Sequence, residues 1–385
     1  MPEILSLIPD RQRTAVERAL ATAFHGAPVS AITPLPGGRS GALVYRVTVG
    51  GGAYVLRVVT RRDPLSDPAR QFAAMRVASE SVIAPRLHFA DARSGIAISE
   101  FIESRPWPDA FGNHPEPVAD IGQRLRQLHD GPALPAFLDA FQCIDQALMV
   151  VRMAGGTLPA MFTHFLAEFA VVRSALLPHF SLTASHNDLN PGNLLYDGER
   201  SWIIDWESSW QNDPMFDVAT LLHWFGFTGS RRDALLRGYF GAAPTALQLA
   251  KIEAMRQVVS CYYAVIFLLL TLQEGALPAP LDPDPDTLPT FAETRVSMQN
   301  GTLPLETAEA RVRFALIMIN DARRAAREPG FAQAIDLLRT NAPVAPRRFG
   351  QQTHRLRGFV AVLRSVGFLR LFLYFRLGLR RAGNH

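Results

Sequence analysis

"SHNDLNPGNLLYDGERSWIIDWE" runs from Ser185 to Glu207 and contains three polar residues, Asp188, Asn193 and Asp205, at distinctive intervals. Asp188 stands five residues before Asn193, and Asp205 follows at the end of a second apolar run. The runs "NLLY" and "WII" have the composition of strands, and "DGE" between them is typical of a turn. The segment therefore predicts a loop with Asp188 and Asn193, then a hairpin that ends at Asp205.

These residue types are the ones that phosphoryl transfer from a nucleotide requires. A carboxylate must orient the attacking hydroxyl and accept its proton, and oxygen ligands must hold Mg²⁺ on the phosphates. Protein kinases place the carboxylate and an Asn ligand on one short loop, and the second metal ligand after a hairpin. Either fragment alone also suits a structural interpretation, in which "HND" caps a helix and "DWE" ends a strand. The two fragments together, in this order, favour catalysis.

The chain before this segment changes from a β-rich pattern to a helical one. Residues 3–24 resemble an amphipathic helix, and Ala31 to Thr60 predicts three strands separated by glycine turns. A capped helix from "DPARQFAAMRVASES" and two strands from "APRLHFADARSGIAISEFIE" follow, which gives a five-stranded antiparallel region with one inserted helix.

A Pro- and Gly-rich linker from Ser104 to Pro117 separates the two patterns. Helices are predicted after it over 118–130, 136–152, 159–178, 215–226, 230–240, 245–273 and 304–341. We therefore expect an α+β fold with two lobes and a ligand cleft between them. The expected divisions are a β-rich lobe (1–103), a linker (104–117), a helical lobe (118–345) and a basic tail (346–385).

Composition narrows the protein class. The chain has 385 residues, of which 48% are hydrophobic, so it can bury a large core. Cys143 and Cys261 are too few for a disulfide framework or a zinc site, which favours a reduced, cytoplasmic compartment. The N-terminal residues carry acids and no long apolar core, unlike a secretory signal. The apolar run from Tyr262 to Leu272 is too short to span a bilayer and predicts a buried helix.

"HNDLNPGNLL", followed by "WIIDWESSWQNDPMFDVA", resembles the aminoglycoside phosphotransferase/choline kinase superfamily, which has a protein-kinase-like fold. The resemblance covers about residues 30 to 275. The form "DWE....NDP..D.A" is most similar to bacterial choline/ethanolamine kinases, and thiamine kinases are also close. The resemblance implies a phosphotransferase that uses ATP and Mg²⁺ to phosphorylate the hydroxyl of a small molecule.

The resemblance also implies roles for five residues of the quoted region. Asp188 matches the catalytic base, and Asn193 and Asp205 match the Mg²⁺ ligands. His186 matches a residue that braces the catalytic loop, and Asp217 matches a buried Asp that ties down the loop backbone. The physical chemistry of Asp217 agrees, because a carboxylate at the start of an apolar helix needs partners.

The nucleotide is expected to bind the β-rich lobe. "PGGRSGALVYRV", from Pro36 to Val47, matches the glycine loop over the phosphates, whose backbone amides approach the anion. Many hairpins have a similar turn, so its position two strands before "VLRVV" strengthens the match. The loop residues implied are Gly37, Gly38, Ser40 and Gly41.

Arg57 stands where kinases carry a phosphate-pairing Lys, and an inward-facing cation in an apolar strand needs a partner. The family's partner is a helix Glu, whereas this chain offers Gln71 at the matching position. Gln71 can hydrogen-bond Arg57 without neutralising it, and Glu80 or another acid is the alternative. The hinge that binds adenine is matched by Glu100, Phe101 and Ile102. The alternative is that the same residues form an ordinary edge strand without a role in binding.

The acceptor pocket is predicted from the catalytic loop and the aromatic residues that follow it. A quaternary ammonium binds aromatic faces and acids. The candidate residues are Asn190, Glu207, Trp210, Trp224 and Tyr263, although aromatic residues at helical spacing more often belong to a core. The favoured acceptor is a choline- or ethanolamine-like amino alcohol. The alternatives are an aminoglycoside or other antibiotic, thiamine, and a catalytically silent kinase-like binding protein, which the unusual Gln71 suggests.

The tail from Pro346 to His385 holds nine arginines and no acid, although the whole chain has a net charge of only +4. Its arginines alternate with Leu, Phe and Val, which predicts contact with an anionic membrane surface or an acidic protein. The alternative is that the tail is a terminal helix that docks on the acidic remainder of the same chain. Nucleic-acid binding is the weaker option, because only the tail is basic. A cytoplasmic protein, with peripheral contact at the inner membrane face, is the expectation.

Overall fold

The structure is a computed structural model, and it describes residues 5–35, 42–62, 66–105, 116–273, 275, 277, 281–300, 302–303 and 305–343. Three predicted features lie wholly or largely outside the described residues. These are the glycine loop with Gly37, Gly38, Ser40 and Gly41, the linker 104–117 except for its ends, and the basic tail 346–385.

A five-stranded antiparallel sheet forms the first part of the chain, as the sequence predicts. Its strands are β1 (Val29–Pro34), β2 (Ala42–Val49), β3 (Gly52–Val59), β4 (Leu87–Asp91) and β5 (Ile96–Glu100). Their order across the sheet is β1-β2-β3-β5-β4. Two helices belong to this lobe, α1 (Asp10–Ala23) and α2 (Pro68–Glu80).

Helix α1 begins later than the predicted helix over 3–24. It starts at Asp10, directly after Pro9. The ring of a proline disfavours helical backbone at the residue before it, which is Ile8 here. The prediction was therefore wrong about the first turns of this helix.

The alternation of side chains along β3 decides where Arg57 lies. Leu56 and Val58 belong to the apolar cluster that includes α1. Val59 packs in a separate cluster with Phe72 of α2. Because successive residues of a strand point to opposite faces, Arg57 shares the face of Val59, which packs on α2.

The second part of the chain is helical and surrounds one long helix. Its helices are α3 (Glu116–His129), α4 (Ala140–Met153), α5 (Ala160–Leu176), α6 (Pro214–Phe225), α7 (Gly229–Phe240), α8 (Ala246–Gln273), α9 (Phe291–Gln299), α10 (Ala308–Ala326) and α11 (Pro329–Thr340). Helix α8 has 28 residues and lies in the largest apolar cluster of the protein. The run from Tyr262 to Leu272 lies in α8, so the predicted buried helix is confirmed.

Within the described part of the chain, two helices are long and apolar enough to cross a membrane by length and composition alone, Ala160–His179 and Ala246–Leu272. In the second, 89% of the apolar window is buried inside the protein. The apolar composition of α8 is therefore that of a core helix.

The predicted helix over 304–341 is divided in two, and one helix escaped prediction. Glu328 precedes Pro329, the first residue of α11, and Pro lacks the N–H that a continuous helix needs at that position. Helix α9 follows a capping box made by Thr290 and Glu293. This capping box is the local sequence signal for the start of α9.

Two pairs of short strands position the segment from Ser185 to Glu207. Strands β7 (Leu194–Tyr196) and β8 (Ser201–Ile203) form the predicted hairpin. Strands β6 (Thr183–Ser185) and β9 (Trp210–Asn212) pair outside it, which the sequence did not reveal. This outer pair brings the start of the Asp188 loop beside the chain that leaves Asp205.

Candidate active site

Asp217 ties down the backbone of the loop before Asp188. Its carboxylate accepts hydrogen bonds from the backbone N–H of His186 at 2.8 Å and of Asn187 at 2.7 Å. Asp217 is fully buried, and Nε2 of His129 lies 3.1 Å from the same carboxylate. Asn187 has a left-handed backbone with φ of 67°. The charge-assisted bonds from consecutive amides hold this unfavourable turn in place.

His186 is buried and neutral, and it links two parts of the site. Its Nε2 lies 3.0 Å from the carbonyl oxygen of Ile204, which can only accept, so this nitrogen carries the hydrogen. Its Nδ1 then accepts from the backbone N–H of Asp188 at 3.3 Å. Burial lowers the pKa of His186 and outweighs the opposing effect of Asp217. The imidazole thus connects the Asp188 loop to the strand before Asp205.

The carboxylate of Asp188 accepts hydrogen bonds from three side chains. Asn190 and Tyr263 donate to Oδ1, each at 3.1 Å, and Asn193 donates to Oδ2 at 3.1 Å. Burial, followed by the charge of Asp188, holds the pKa of Tyr263 well above its ordinary value. The tyrosine hydroxyl therefore stays a proton donor to Asp188 at neutral pH.

Asn193 and Asp205 lie close together and offer oxygen atoms. The backbone N–H of Ile204 donates to the carbonyl oxygen of Asn193 at 2.9 Å, which places Asp205 one residue further. The amide nitrogen of Asn193 donates to the backbone oxygen of Asp188 at 2.7 Å as well as to its carboxylate, so its amide oxygen is directed elsewhere. An amide oxygen and a carboxylate are hard donors of the kind that Mg²⁺ prefers.

The described residues contain no group of three or more His, Cys, Asp or Glu side chains that suits a metal ion. Mg²⁺ is commonly held by one or two protein oxygens together with water and substrate phosphates. The donor pair of Asn193 and Asp205 fits that mode of binding, and it does not fit a closed all-protein metal site.

Arg57 reaches from the sheet to two carboxylates after the hairpin. Its guanidinium lies 2.7 Å from Oε2 of Glu207 and 3.5 Å from Oδ1 of Asp205. The expected hydrogen bond from Gln71 is absent: Gln71 is 2% exposed, and neither atom of its amide has a hydrogen-bond partner in the described part of the chain. Glu80 is exposed at the end of α2. Of the predicted alternatives, the partner is therefore another acid, Glu207.

The predicted hinge residues end β5 and continue beyond it. The backbone N–H of Glu100 donates to the carbonyl of Arg86 at 2.9 Å, and that of Phe101 to the carbonyl of Ala53 at 3.1 Å. The guanidinium of Arg46 lies 4.4 Å from the ring centre of Phe101. The amides of the first two hinge residues are thus used within the protein, whereas Ile102 is half-buried beyond them.

The acceptor candidates are divided between two places. Asn190 and Tyr263 contact Asp188 directly, and Trp224 packs edge-on against Tyr263 with 5.0 Å between ring centres. Trp210 is buried against Phe137 instead, 5.1 Å away. Glu207 is paired with Arg57, as described above. Of the acceptor candidates, Asn190, Trp224 and Tyr263 therefore lie near Asp188.

Two residues of the site were not predicted from the sequence. His129 bridges Asp217 and Tyr239, with 2.8 Å to the tyrosine hydroxyl. Arg70 packs its guanidinium on Phe137 at 4.6 Å and lies 3.5 Å from the carbonyl oxygen of Glu207. No local sequence signal marks either residue, because their partners come from distant parts of the chain.

A cavity of about 270 Å³ lies elsewhere in the helical lobe. Its walls are formed by α8, α10 and the start of α11, with His223 at one side. None of the predicted site residues lines it. The cavity is thus separate from the groups that surround Asp188.

A sheet lobe joined to a helical lobe, with Asp188, Asn193 and Asp205 gathered between them, is the arrangement of kinase-like phosphotransferases. Residues 31–250 match the phosphotransferase enzyme family, APH. Because this match covers more than half of the chain, the protein belongs to that family. The predicted superfamily and the predicted phosphotransferase class are both confirmed.

Known proteins with similar sequences or structures point in the same direction. The chain is 28% identical to protein LicA of Haemophilus influenzae over 158 residues, which are 39% of this chain and 57% of LicA. The match thus spans little more than half of that relative's length. Among solved structures, a choline/ethanolamine kinase family protein from Mesorhizobium loti superposes with a TM-score of 0.63 at 23% identity, covering 86% of this chain and 99% of the other.

Choline kinase LicA from Streptococcus pneumoniae superposes with a TM-score of 0.55 at 15% identity, covering 80% of this chain and 99% of the other. A LicA structure in complex with AMP gives a TM-score of 0.53 at 16% identity and covers 81% and 98%. At these identities, the structural likeness establishes the fold, and the predicted bilobal kinase-like α+β fold is confirmed.

Proposed function

We propose that this protein uses ATP and Mg²⁺ to phosphorylate the hydroxyl of a small amino alcohol of the choline or ethanolamine type. The observation that carries the proposal is the Asp188 carboxylate, held by three side-chain donors beside the oxygen pair of Asn193 and Asp205. The proposed division of labour gives nucleotide binding to residues 1–103 and acceptor binding and catalysis to 118–345. The linker 104–117 joins them.

In the proposed mechanism, Asp188 orients the acceptor hydroxyl and takes its proton as the oxygen attacks the terminal phosphorus of ATP. The bond between that phosphorus and the oxygen bridging to the β-phosphate breaks, and ADP leaves with the bridging oxygen. Asn190, Asn193 and Tyr263 hold the carboxylate in one orientation, so little reorganisation is needed when the acceptor binds. His186 and Asp217 keep the loop backbone in place and do not touch the reacting atoms.

Asn193 and Asp205 would hold Mg²⁺, which neutralises negative charge on the phosphates and orients them when it is bound. Arg57 would contribute its positive charge on the same side of the site. The glycine loop with Gly37, Gly38, Ser40 and Gly41 is proposed to cover the phosphates with backbone amides. The similar LicA structure is a complex with AMP, which supports nucleotide binding by this protein.

The acceptor class rests on similarity to choline/ethanolamine kinases and on the aromatic surface next to Asp188. Trp224 and Tyr263 are in mutual contact there, and aromatic faces attract a quaternary or primary ammonium. An aminoglycoside or thiamine is the second candidate, because the same phosphotransferase family model covers the catalytic segment whatever the acceptor.

The test is turnover of Mg·ATP with a panel of choline, ethanolamine, thiamine and aminoglycosides, detected as ADP release and phosphorylated product. Preference for an amino alcohol is the expected result. Preference for another compound of the panel would change the proposed acceptor, and the protein would still be a phosphotransferase. ATP binding without turnover of any acceptor would instead favour a catalytically silent binding protein.

The metal assignment has a separate test in the variant Asp205→Ala. We expect a loss of Mg·ADP affinity of about tenfold or more, together with the loss of rate, because a metal ligand is removed. ADP affinity in the presence of EDTA should fall far less. Unchanged Mg·ADP affinity would contradict the assignment of Asp205.

We also propose that residues 346–385 attach the protein to an anionic surface at the inner membrane face. The support is the run of nine arginines without an acid. Co-sedimentation of the full chain and of Met1–Ala345 with anionic vesicles tests this at low and high salt. Equal sedimentation of both forms would contradict it, and loss of folding on truncation would favour a docked terminal helix.

A further inference from the structure

Arg57 is held across the boundary between the two lobes. It extends from the central strand β3, and its carboxylate partners follow the hairpin of the helical lobe, 150 residues later in the case of Glu207. The side chains of Arg57 and Glu207 are 10% and 18% exposed, and that of Asp205 is 5% exposed. Because little water screens this contact, the ion pair can hold the guanidinium in one direction.

Helix α2 offers no acid for this purpose. Its one acidic residue is Glu80, which is exposed at the last position of the helix. The two buried polar residues of α2 are Arg70 and Gln71, and Gln71 leaves its amide without a hydrogen bond in the described structure. A buried amide without partners is unfavourable, so Gln71 marks a position where the surroundings and the side chain are poorly matched.

The segment around Glu207 is contacted by two elements of the β-rich lobe, β3 and α2. Arg57 of β3 contacts its carboxylate, and Arg70 of α2 approaches its backbone oxygen at 3.5 Å. Two carboxylates, Asp205 and Glu207, already face Arg57. A third carboxylate at position 71 would add negative charge to a poorly hydrated site, which is costly. A neutral residue at position 71 is therefore consistent with the acid lying at Glu207.

We propose that Glu207 is the positioning residue of Arg57, and that it replaces an acid on α2 as the partner of the phosphate-side cation. This inference rests on the proposed function, because it treats Arg57 as part of the nucleotide site. Glu207 belongs to the same short segment as Asp205. The cation and the metal-side carboxylate are thus positioned by one piece of backbone, and the nucleotide site is complete only when the two lobes are in contact.

The experiment is a double-mutant cycle on the full chain with Glu207→Gln, Gln71→Glu and the double variant. The measured quantity is ADP affinity by calorimetry, once with EDTA and once with Mg²⁺. The EDTA measurement isolates Arg57 from metal binding. The matched control is Glu80→Gln, which removes the exposed acid of α2 and should leave ADP affinity unchanged.

We expect Glu207→Gln to weaken ADP binding in EDTA by about tenfold, because Arg57 loses the nearer of its two charged partners. Gln71→Glu should weaken binding in the wild-type background and restore it in the Glu207→Gln background to within about twofold of the wild type. This reversal of sign is not expected of residues that only maintain the fold.

Three results would overturn the inference. ADP affinity in EDTA that is unchanged by Glu207→Gln, with weakened Mg·ADP binding, would assign Glu207 to the metal. Tighter binding in EDTA would mean that Glu207 competes with the phosphates for Arg57. If the losses of ADP affinity caused by the two single substitutions add in the double variant, an acid at position 71 cannot replace Glu207. Absence of ADP binding by the wild type would instead remove the proposed function, a failure distinct from these three.

Discussion

The Asp188 loop and the surroundings of Arg57 hold a buried charged side chain in different ways. Asp188 receives donors from Asn190 and Asn193, which lie two and five residues away, and from the distant Tyr263. Arg57 pairs instead with Glu207, which lies 150 residues away in the other lobe. Local loop geometry thus holds Asp188 in place, whereas the contacts of Arg57 depend on how the two lobes pack.

The largest effect expected is that of Asp188→Asn, which should separate the two regions. Transfer should fall by about 10²–10⁴-fold, because the amide cannot accept the acceptor's proton. ADP affinity should stay within about twofold of the wild type, because the proposed role of Asp188 is to bind the acceptor and not the nucleotide. Steady-state turnover and calorimetry measure the two quantities. Near-normal turnover would remove Asp188 from the base role.

Asp217→Asn should weaken the loop itself. The asparagine would present an NH₂ group to backbone N–H donors that now bond to a buried carboxylate. We expect the free energy of unfolding to fall by about 2–4 kcal/mol, with a parallel loss of turnover. Urea denaturation measures the first. An unchanged denaturation midpoint would show that the loop keeps its shape without the Asp217 carboxylate.

Tyr263→Phe should have a moderate effect on catalysis, because it removes a hydrogen bond to Asp188 from a distant part of the chain. We expect turnover to fall by about three- to tenfold with ADP affinity unchanged. Tyr262→Phe is the matched control, since Tyr262 is an equally buried neighbour on α8 that packs against Phe216. Equal losses in both variants would mean that the hydroxyl bond to Asp188 has no specific role.

The smallest effect concerns a buried histidine behind Tyr263. His223 stacks on Phe291 at 4.0 Å, and its pKa is well below the ordinary value of 6.5 because burial and the nearby arginines Arg256 and Arg295 disfavour the charged form. The unfolded chain takes up a proton near the ordinary value, and the folded protein does so only at lower pH. The stability linked to His223 is therefore complete above pH 6.5 and is lost as the pH falls towards its lowered pKa.

The corresponding measurement compares thermal or urea unfolding at pH values of about 7.5 and 5.5. The variant His223→Phe should lose less stability between them than the wild type, by about 1 kcal/mol. The exposed His164, changed to Asn, serves as control and should behave like the wild type. Identical pH dependence of His223→Phe and the wild type would contradict a neutral His223.

Much of the fold was predictable because its signals are local. The five strands are bounded by glycines and turns, and Asp67 with Pro68 marks the start of α2. The helix boundaries differ from the predicted ones where a proline interrupts an otherwise helical pattern. Pro329 divides the predicted last helix, and Pro9 delays the first one. The pairing of β6 with β9 joins strands too short to have a pattern of their own.

The Asp188 loop, the hairpin and the Asp205 that follows it could be predicted from the sequence, because their spacing is set by neighbouring residues along the chain. Helix and sheet packing selected the acid that pairs with Arg57 and the tyrosine that bonds Asp188, and it placed His129 beside Asp217. Each of these contacts joins residues from separate elements whose distance depends on helix and sheet packing. A pattern of residue types cannot encode that distance, because one acid or one tyrosine resembles another until the core brings a single one within reach.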